Sequence, residues 1–425
     1  MNLKQYPLIG ESLYETRLPN GLRIRVVPKK DFARKLAFLA VDFGSIDTHF
    51  IFNGEEHTVP DGIAHYLEHK MFDMPEEDAN ALFAGWGASV NAFTSYSMTA
   101  YHFFCTEHFE DCLSLLLRMV TTPYFTEESV EKERGIITQE ILMYEDSADS
   151  QVAEDLFRIM FPRHPVHVPI AGTVGSISHI TAQMLYDCHR AFYRPSNMVL
   201  CVAGDVPIEE ILDIAARSTP SELSPVPTRL YGEAPLLTEA VFTDRNMDIS
   251  MPTFALGFSC PPLAPGESCM HRDLLGELAA EILAGEASPL YTRLYEEGLI
   301  DGAFSVGYEN VKDACLLSIF GDSPDPHRVY EAILEEARRI GEEGFDEVWF
   351  HRLLRSFLGR RIRDLDSFSS FCYRICAGEF EGYEYFTFPD EFTAVTPRSV
   401  LDFLTATVCR ERSALAVVNP SEDII

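Results

Sequence analysis

One order of elements is written twice along this chain, on either side of STPSELSPVPT at residues 218–228. That stretch holds three prolines and few large apolar residues, the composition of a connector rather than of an element. Before it, LRIRVVP (22–28) and LAFLAVDF (36–43) read as strands. Residues 61–73 read as an apolar-rich helix with Asp61 as its N-cap, followed by a strand pair at 89–95 and 98–105. Helices at 107–120 and 127–145 and a buried strand, NMVLCVAG (197–204), complete the first half. After the connector come a strand at 254–259, helices at 271–284 and 288–297, and strands GAFSVGYE and ACLLSIFG near 302–321. Helices at about 327–341 and 346–363 and a closing strand, ALAVVNP (414–420), follow. Local matches keep this order: NAFTS (91–95) falls on GAFSV (302–306), and PYFTEESVEKERGIITQE (123–140) on EGFDEVWFHRLLRSFLGR (343–360), at offsets of 211 and 220. The expectation is an α+β fold of two related domains, 1–217 and 231–425, joined by a linker at 218–230. Each is expected to be a mostly antiparallel sheet backed by helices.

Length agrees, since 425 residues exceed what one compact core organises. Charge narrows the partners. Acidic residues outnumber basic ones 66 to 34, for a net charge of −32. Residues 1–210 carry −14 of it and the remainder −18, so the acidity is not a tail. Such a surface repels phosphate, which argues against nucleic acid and anionic membranes and for attraction to basic peptides. There is no run of 18 apolar residues and no apolar leader at the N-terminus, so the expectation is a cytoplasmic chain without a membrane span. Ten scattered cysteines, none in a CxxC pair and several in apolar runs, read as reduced core residues.

Chemistry concentrates in His65-Tyr66-Leu67-Glu68-His69. Histidines four apart project from one helical face and can share a metal ion. Glu68 lies near that face, positioned to act on a water beside the metal rather than to ligate. A bland alternative is a surface helix with two solvated histidines. Against it, GIA before the motif and MF after it make this helix substantially buried, and buried polar groups need partners. A third ligand would come from the helix at 127–145. Glu133 and Glu140 lie two turns apart on one face, and either could ligate while the other supports a histidine. His164 and His167 read as loop residues. The cluster Arg352, Arg355, Arg360, Arg361 and Arg363 reads as a solvated helix face.

Taken together, GIAHYLEHKMF, GASVNAFTSYSMTAY, EKERGIITQEI, HPVHVPIAGT, NMVLCVAGDV and SPLYTRLYEEGLI resemble the pitrilysin/insulinase family of zinc peptidases, which includes the subunits of processing peptidases. The resemblance spans most of the first half and continues more weakly in the second. It implies Zn2+ held by His65, His69 and Glu140, with Glu68 as general base and Glu133 as supporting acid. It also implies that an extended peptide adds to the strand at 89–94, where Ser89, Asn91 and Ala92 would meet substrate. Two such domains form half of a clam-like chamber in that family.

Two departures bear on activity. The second-half counterpart of the metal motif is Gly276-Glu277-Leu278-Ala279-Ala280, which has no ligands. Active members also use an Arg and a Tyr from a second-half type domain, whose positions here hold Tyr295 and Phe304, with Tyr308 a substitute for the tyrosine. The expectation is therefore a zinc endopeptidase that works with a related zinc-free subunit, as a heterodimer, or with a second copy of itself. The rival is a non-catalytic scaffold derived from such a peptidase.

Overall fold

The computed structural model describes residues 2–75 and 78–421. Strands of the first half are β1 (Asn2–Tyr6), β2 (Glu11–Arg17), β3 (Arg23–Pro28), β4 (Lys35–Val41), β5 (His49–Phe52), β6 (Glu55–Thr58), β7 (Ser89–Thr94), β8 (Thr99–Cys105) and β9 (Met198–Gly204). Then come β10 (Thr228–Arg229), β11 (Val241–Met247), β12 (Thr253–Ser259), β13 (Ser305–Val311), β14 (Ala314–Asp322) and β15 (Ser413–Pro420). One sheet runs β1-β2-β3-β9-β4-β8-β7, and another runs β11-β15-β12-β14-β13. Their cores share one pairing plan. β3 lies parallel to β9 and β11 to β15, while β9-β4-β8-β7 and β15-β12-β14-β13 are antiparallel throughout. The continuous apolar runs fall on central strands buried on both faces: every residue of β9 and of β12 is buried.

Helices of the first half are α1 (Ile63–Lys70), α2 (Ala79–Gly85), α3 (Phe109–Thr121), α4 (Glu127–Glu145), α5 (Ala148–Met160), α6 (Val174–Ile177), α7 (Ala182–Phe192) and α8 (Ile208–Ser218). The second half supplies α9 (Cys269–Ala284), α10 (Pro289–Glu296), α11 (Pro326–Glu343), α12 (Glu347–Arg363), α13 (Phe368–Glu381), α14 (Phe388–Ala394) and α15 (Pro397–Thr407). The α+β class and the mostly antiparallel sheets are as the sequence leads one to expect. Contiguous domains at 1–217 and 231–425 are not what packs together. Unit 1 comprises residues 1–141, 169–231 and 361–387, and unit 2 comprises 142–168, 232–360 and 388–425.

The reason is a reciprocal exchange of helices. α5, from the first half, covers β11, β15 and β12. Its Asp155 takes Arg245 Nε of β11 at 2.5 Å, and Gly257 of β12 leaves the space that Met160 fills. α13, from the second half, covers β4 and β9, with Glu379 accepting from Arg25 Nε at 2.7 Å and the Arg23 guanidinium donating to the Glu379 carbonyl at 2.9 Å. The linker is also not free. Thr228–Arg229 pairs with β5, and Arg229 lies 3.1 Å from both Asp42 and the buried Asp47.

Two local readings change. α1 starts at Gly62 rather than on a side-chain cap from Asp61. Gly62 has φ 86°, and a Cβ there would lie 2.3 Å from the Ala171 carbonyl oxygen, so only glycine fits. β13 begins at Ser305, three residues later than GAFSVGYE suggests. Asp301 turns the chain first, its carboxylate accepting from Ala303 N–H at 2.8 Å, and Phe304 is buried against Phe254 and Tyr291. All ten cysteines are free thiols. Among the described residues no helix is long and apolar enough to cross a membrane.

Candidate metal centre

α1 is short, and its interior position is set by α4. Ile63, Ala64, Tyr66 and Leu67 are all buried in the core of unit 1. Three polar ties then fix α1 against the start of α4. Tyr66 OH donates to the Val130 carbonyl, Lys70 Nζ to the Ser129 carbonyl at 3.2 Å, and His69 Nδ1 to Glu133 Oε1 at 2.9 Å. Lys70 is 1% exposed and is neutralised by Asp73. α4 is anchored in turn by Val130, Ile137 and Ile141, a buried stripe that leaves Glu133 and Glu140 on the adjoining face. Thr126 caps it, accepting from Ser129 N–H at 3.1 Å.

These ties bring His65, His69 and Glu140 together. One donor atom from each lies within 4.8 Å of the others. His65 Nε2 is 3.5 Å from Glu140 Oε1 and His69 Nε2 is 3.6 Å from Glu140 Oε2, both longer than a charge-assisted hydrogen bond. The two imidazoles meet edge to face at 4.6 Å. With Nδ1 given to Glu133, His69 turns Nε2 and its lone pair toward Glu140. His65 Nδ1 is buried without a hydrogen-bond partner among the described residues. Two imidazoles and a carboxylate converging across this gap fit a divalent metal ion held by three protein ligands.

Glu68 sits beside them, 8% exposed, with Oε2 accepting from Thr94 Oγ1 of β7 at 2.7 Å. Burial raises its pKa, against the lowering pull of that hydrogen bond and of the two imidazoles. Burial lowers the His69 pKa, but the Glu133 hydrogen bond and the charges of Glu68, Glu133 and Glu140 outweigh it, so the net shift is upward. The His69 hydrogen bond holds the Glu133 carboxyl below its usual range.

Ser89, Asn91 and Ala92 lie on β7, the outermost strand of its sheet, and Ser89 and Asn91 are exposed. Ala92 N–H is donated to Asn91 Oδ1 at 3.0 Å. In unit 2, Tyr295 is exposed and stacks on Tyr291, whereas Phe304 is buried. The Tyr308 hydroxyl is buried, so this residue does not offer a phenol at the surface. Thr94 was not singled out by sequence. The available signal was strand alternation, which puts it on the same face as Ala92, two residues away.

Among the described residues one group, His65, His69 and Glu140, could hold a metal ion, and it lies on a duplicated α+β scaffold beside a buried carboxylate. Residues 50–174 match the family described as Insulinase (Peptidase family M16), and residues 179–357 match the Peptidase M16 inactive domain. An uncharacterized zinc protease of Bacillus subtilis, YmfH, is 39% identical over 344 residues, or 80% of each chain. The crystal structure of an M16-like peptidase from Alicyclobacillus acidocaldarius superposes with a TM-score of 0.91 at 31% identity, covering 97% of this chain and 99% of that one. A protease from Helicobacter pylori shares the fold at 16% identity, with a TM-score of 0.85 over 96% of this chain and 99% of its own. The chain belongs to peptidase family M16, the insulinase family.

Proposed function

We propose that the chain is a zinc-dependent endopeptidase that cleaves peptides or flexible protein termini aligned along β7. The convergence of His65, His69 and Glu140, with Glu68 buried beside them, carries this reading. Three protein ligands are the number used by catalytic rather than structural zinc sites, and the Bacillus subtilis relative is named a zinc protease. When bound, zinc supplies a Lewis acid that acidifies a water and polarises a peptide carbonyl.

The chain's own residues do the rest. Glu133 fixes the His69 tautomer so that Nε2 is the ligating nitrogen. Glu68 accepts a proton from the attacking water and delivers it to the leaving amine, and burial, by raising its pKa, makes it the stronger base. An extended substrate adds to the outer side of β7, with main-chain bonds replacing the Asn91 side chain on Ala92 N–H. Ser89, Asn91 and Ala92 are its contact positions, and the net charge of −32 favours basic segments.

The Arg and Tyr that M16 enzymes supply from a second-half type domain are assigned to a partner. Tyr295 and Phe304 stand at those positions here. The partner is a related zinc-free subunit or a second copy, meeting this chain in the cytoplasm. The experiment is peptide cleavage by wild type and Glu68→Gln, with and without any copurified chain, alongside zinc analysis and native mass measurement. Equal cleavage by the variant sinks the base assignment, zinc retained by His65→Ala sinks the ligand set, and full activity of a lone monomer removes the partner.

A further inference from the structure

Glu68 is a base with only one oxygen held by the protein. Thr94 Oγ1 lies 2.7 Å from Oε2, and among the described residues no hydrogen bond reaches Oε1. Thr94 is at the end of β7, and its side chain is on the α1 side of the strand. The neighbouring Phe93 points the other way, against Phe38 and Tyr373.

Two oxygens lie within reach of the Thr94 hydroxyl. Thr99, wholly buried on β8, has its hydroxyl 3.4 Å from that of Thr94. Thr99 spends its one hydrogen on the Phe43 carbonyl at 2.8 Å and has none left for Thr94. Thr94 has a single hydrogen to give, and it goes to the nearer acceptor, Glu68 Oε2 at 2.7 Å, rather than to the Thr99 oxygen at 3.4 Å.

The turn that carries Thr94 is itself braced. Ser45 N–H and Ile46 N–H donate to the Ser95 and Tyr96 carbonyls, each at 3.1 Å. Gly44 lies so close that a Cβ there would be 2.3 Å from the Tyr96 oxygen. The hydroxyl is thus presented from a fixed frame, as a group that orients another must be.

We propose that Thr94 is the positioning residue for the general base. Its hydrogen bond locks the Glu68 side chain and occupies Oε2, so that Oε1 is the oxygen that takes the proton. In the balanced step, the proton leaves the attacking water for Oε1 as the water oxygen bonds to the peptide carbon. The same proton then passes from Oε1 to the amine nitrogen as the C–N bond breaks. This inference rests on the endopeptidase reading above.

The test compares Thr94→Val, which keeps the shape and loses the hydroxyl, with Thr94→Ser, which restores it, in whichever preparation cleaves peptide. Glu68→Gln is the control. For Thr94→Val, kcat should fall about 10–100-fold with KM unchanged, and Thr94→Ser should recover most of the loss. Zinc stoichiometry and the thermal midpoint of Thr94→Val should stay at wild-type values, because Thr94 ligates nothing. Wild-type kcat in Thr94→Val, or a Thr94→Ser as impaired as the valine variant, overturns the inference while an inactive Glu68→Gln leaves the endopeptidase reading standing. Loss of zinc or of several degrees of melting in Thr94→Val also overturns it, by making Thr94 part of the framework. An active Glu68→Gln sinks the base assignment itself.

Discussion

In unit 1 the helix beneath the edge hairpin presents His65, Glu68 and His69 toward Glu140; in unit 2 the helix in that place, α9, carries Gly276, Ala279 and Ala280 at the matching positions. The space an imaged side chain would need is already taken. The Tyr308 ring of β13 lies over Gly276 so closely that a Cβ there would be 2.2 Å from it. Charge is exchanged as well. Arg360, at offset 220 from Glu140, lies near Glu281 of α9, whose pKa is raised by burial and pulled back by that arginine. The helices pay for these interiors differently. α9 runs 16 residues from a Ser268 cap and packs through Leu274, Leu278 and Ala279. α1 runs 8 residues without a side-chain cap, buries polar groups, and depends on its ties to α4. One plan thus supports either an interior of converging ionisable groups or one filled by apolar side chains and a tyrosine ring.

The difference breaks most sharply at Glu68. Replacing it with Gln should lower peptide cleavage on the order of 100–10,000-fold with zinc content retained, as initial rates and metal analysis would show.

A second effect concerns both units. His189 in unit 1 and His164 in unit 2 are each lowered by burial to a pKa of about 4. A histidine that protonates less readily when folded takes up its proton on unfolding. Stability from this source is full above the unfolded value of about 6.5 and drains as pH falls toward 4. For His189, 5% exposed and bonded through Nε2 to the Val120 carbonyl at 2.9 Å, the swing is about 3 kcal/mol. Urea unfolding from pH 7 to 4 should show wild type losing that much relative to His189→Gln, and parallel curves would refute it.

Smaller is the support given to a ligand. Glu133→Gln should weaken zinc binding about 10–100-fold, read by competition with a chelator, while leaving the fold intact. Smallest is the packed counterpart. Gly276→Ala should destabilise unit 2 by about 1–3 kcal/mol, seen as a lower melting midpoint, without changing zinc content. A neutral Gly276→Ala would mean that Tyr308 is loosely held and that the blank site retains room.

How much of this was legible beforehand follows from the kind of signal each residue gives. His65, Glu68 and His69 are fixed by helical spacing alone, so they could be read directly. Glu133 and Glu140 share a helix with Glu127, Glu128, Glu131 and Glu145, and only the resemblance separated their roles. Thr94 was hidden because its role depends on which strand face meets α1, a matter of register and packing. α5 and α13 are not among the helices read from the sequence. Amphipathic helices say that a face is buried and not which sheet covers it, so the exchange could not be read from periodicity.

That exchange makes the connector at 218–230 an unusual place for a cut. A protease nick there would release two polypeptides, neither of which holds all the parts of either unit. The first fragment would lack the helix that covers β4 and β9, and the second would lack the helix that covers β11, β12 and β15. Each would leave an apolar sheet face uncovered until it met the other, so the halves are mutual complements rather than independent modules. During synthesis the same dependence delays completion of unit 1 until residues 361–387, far beyond Glu140, have been made.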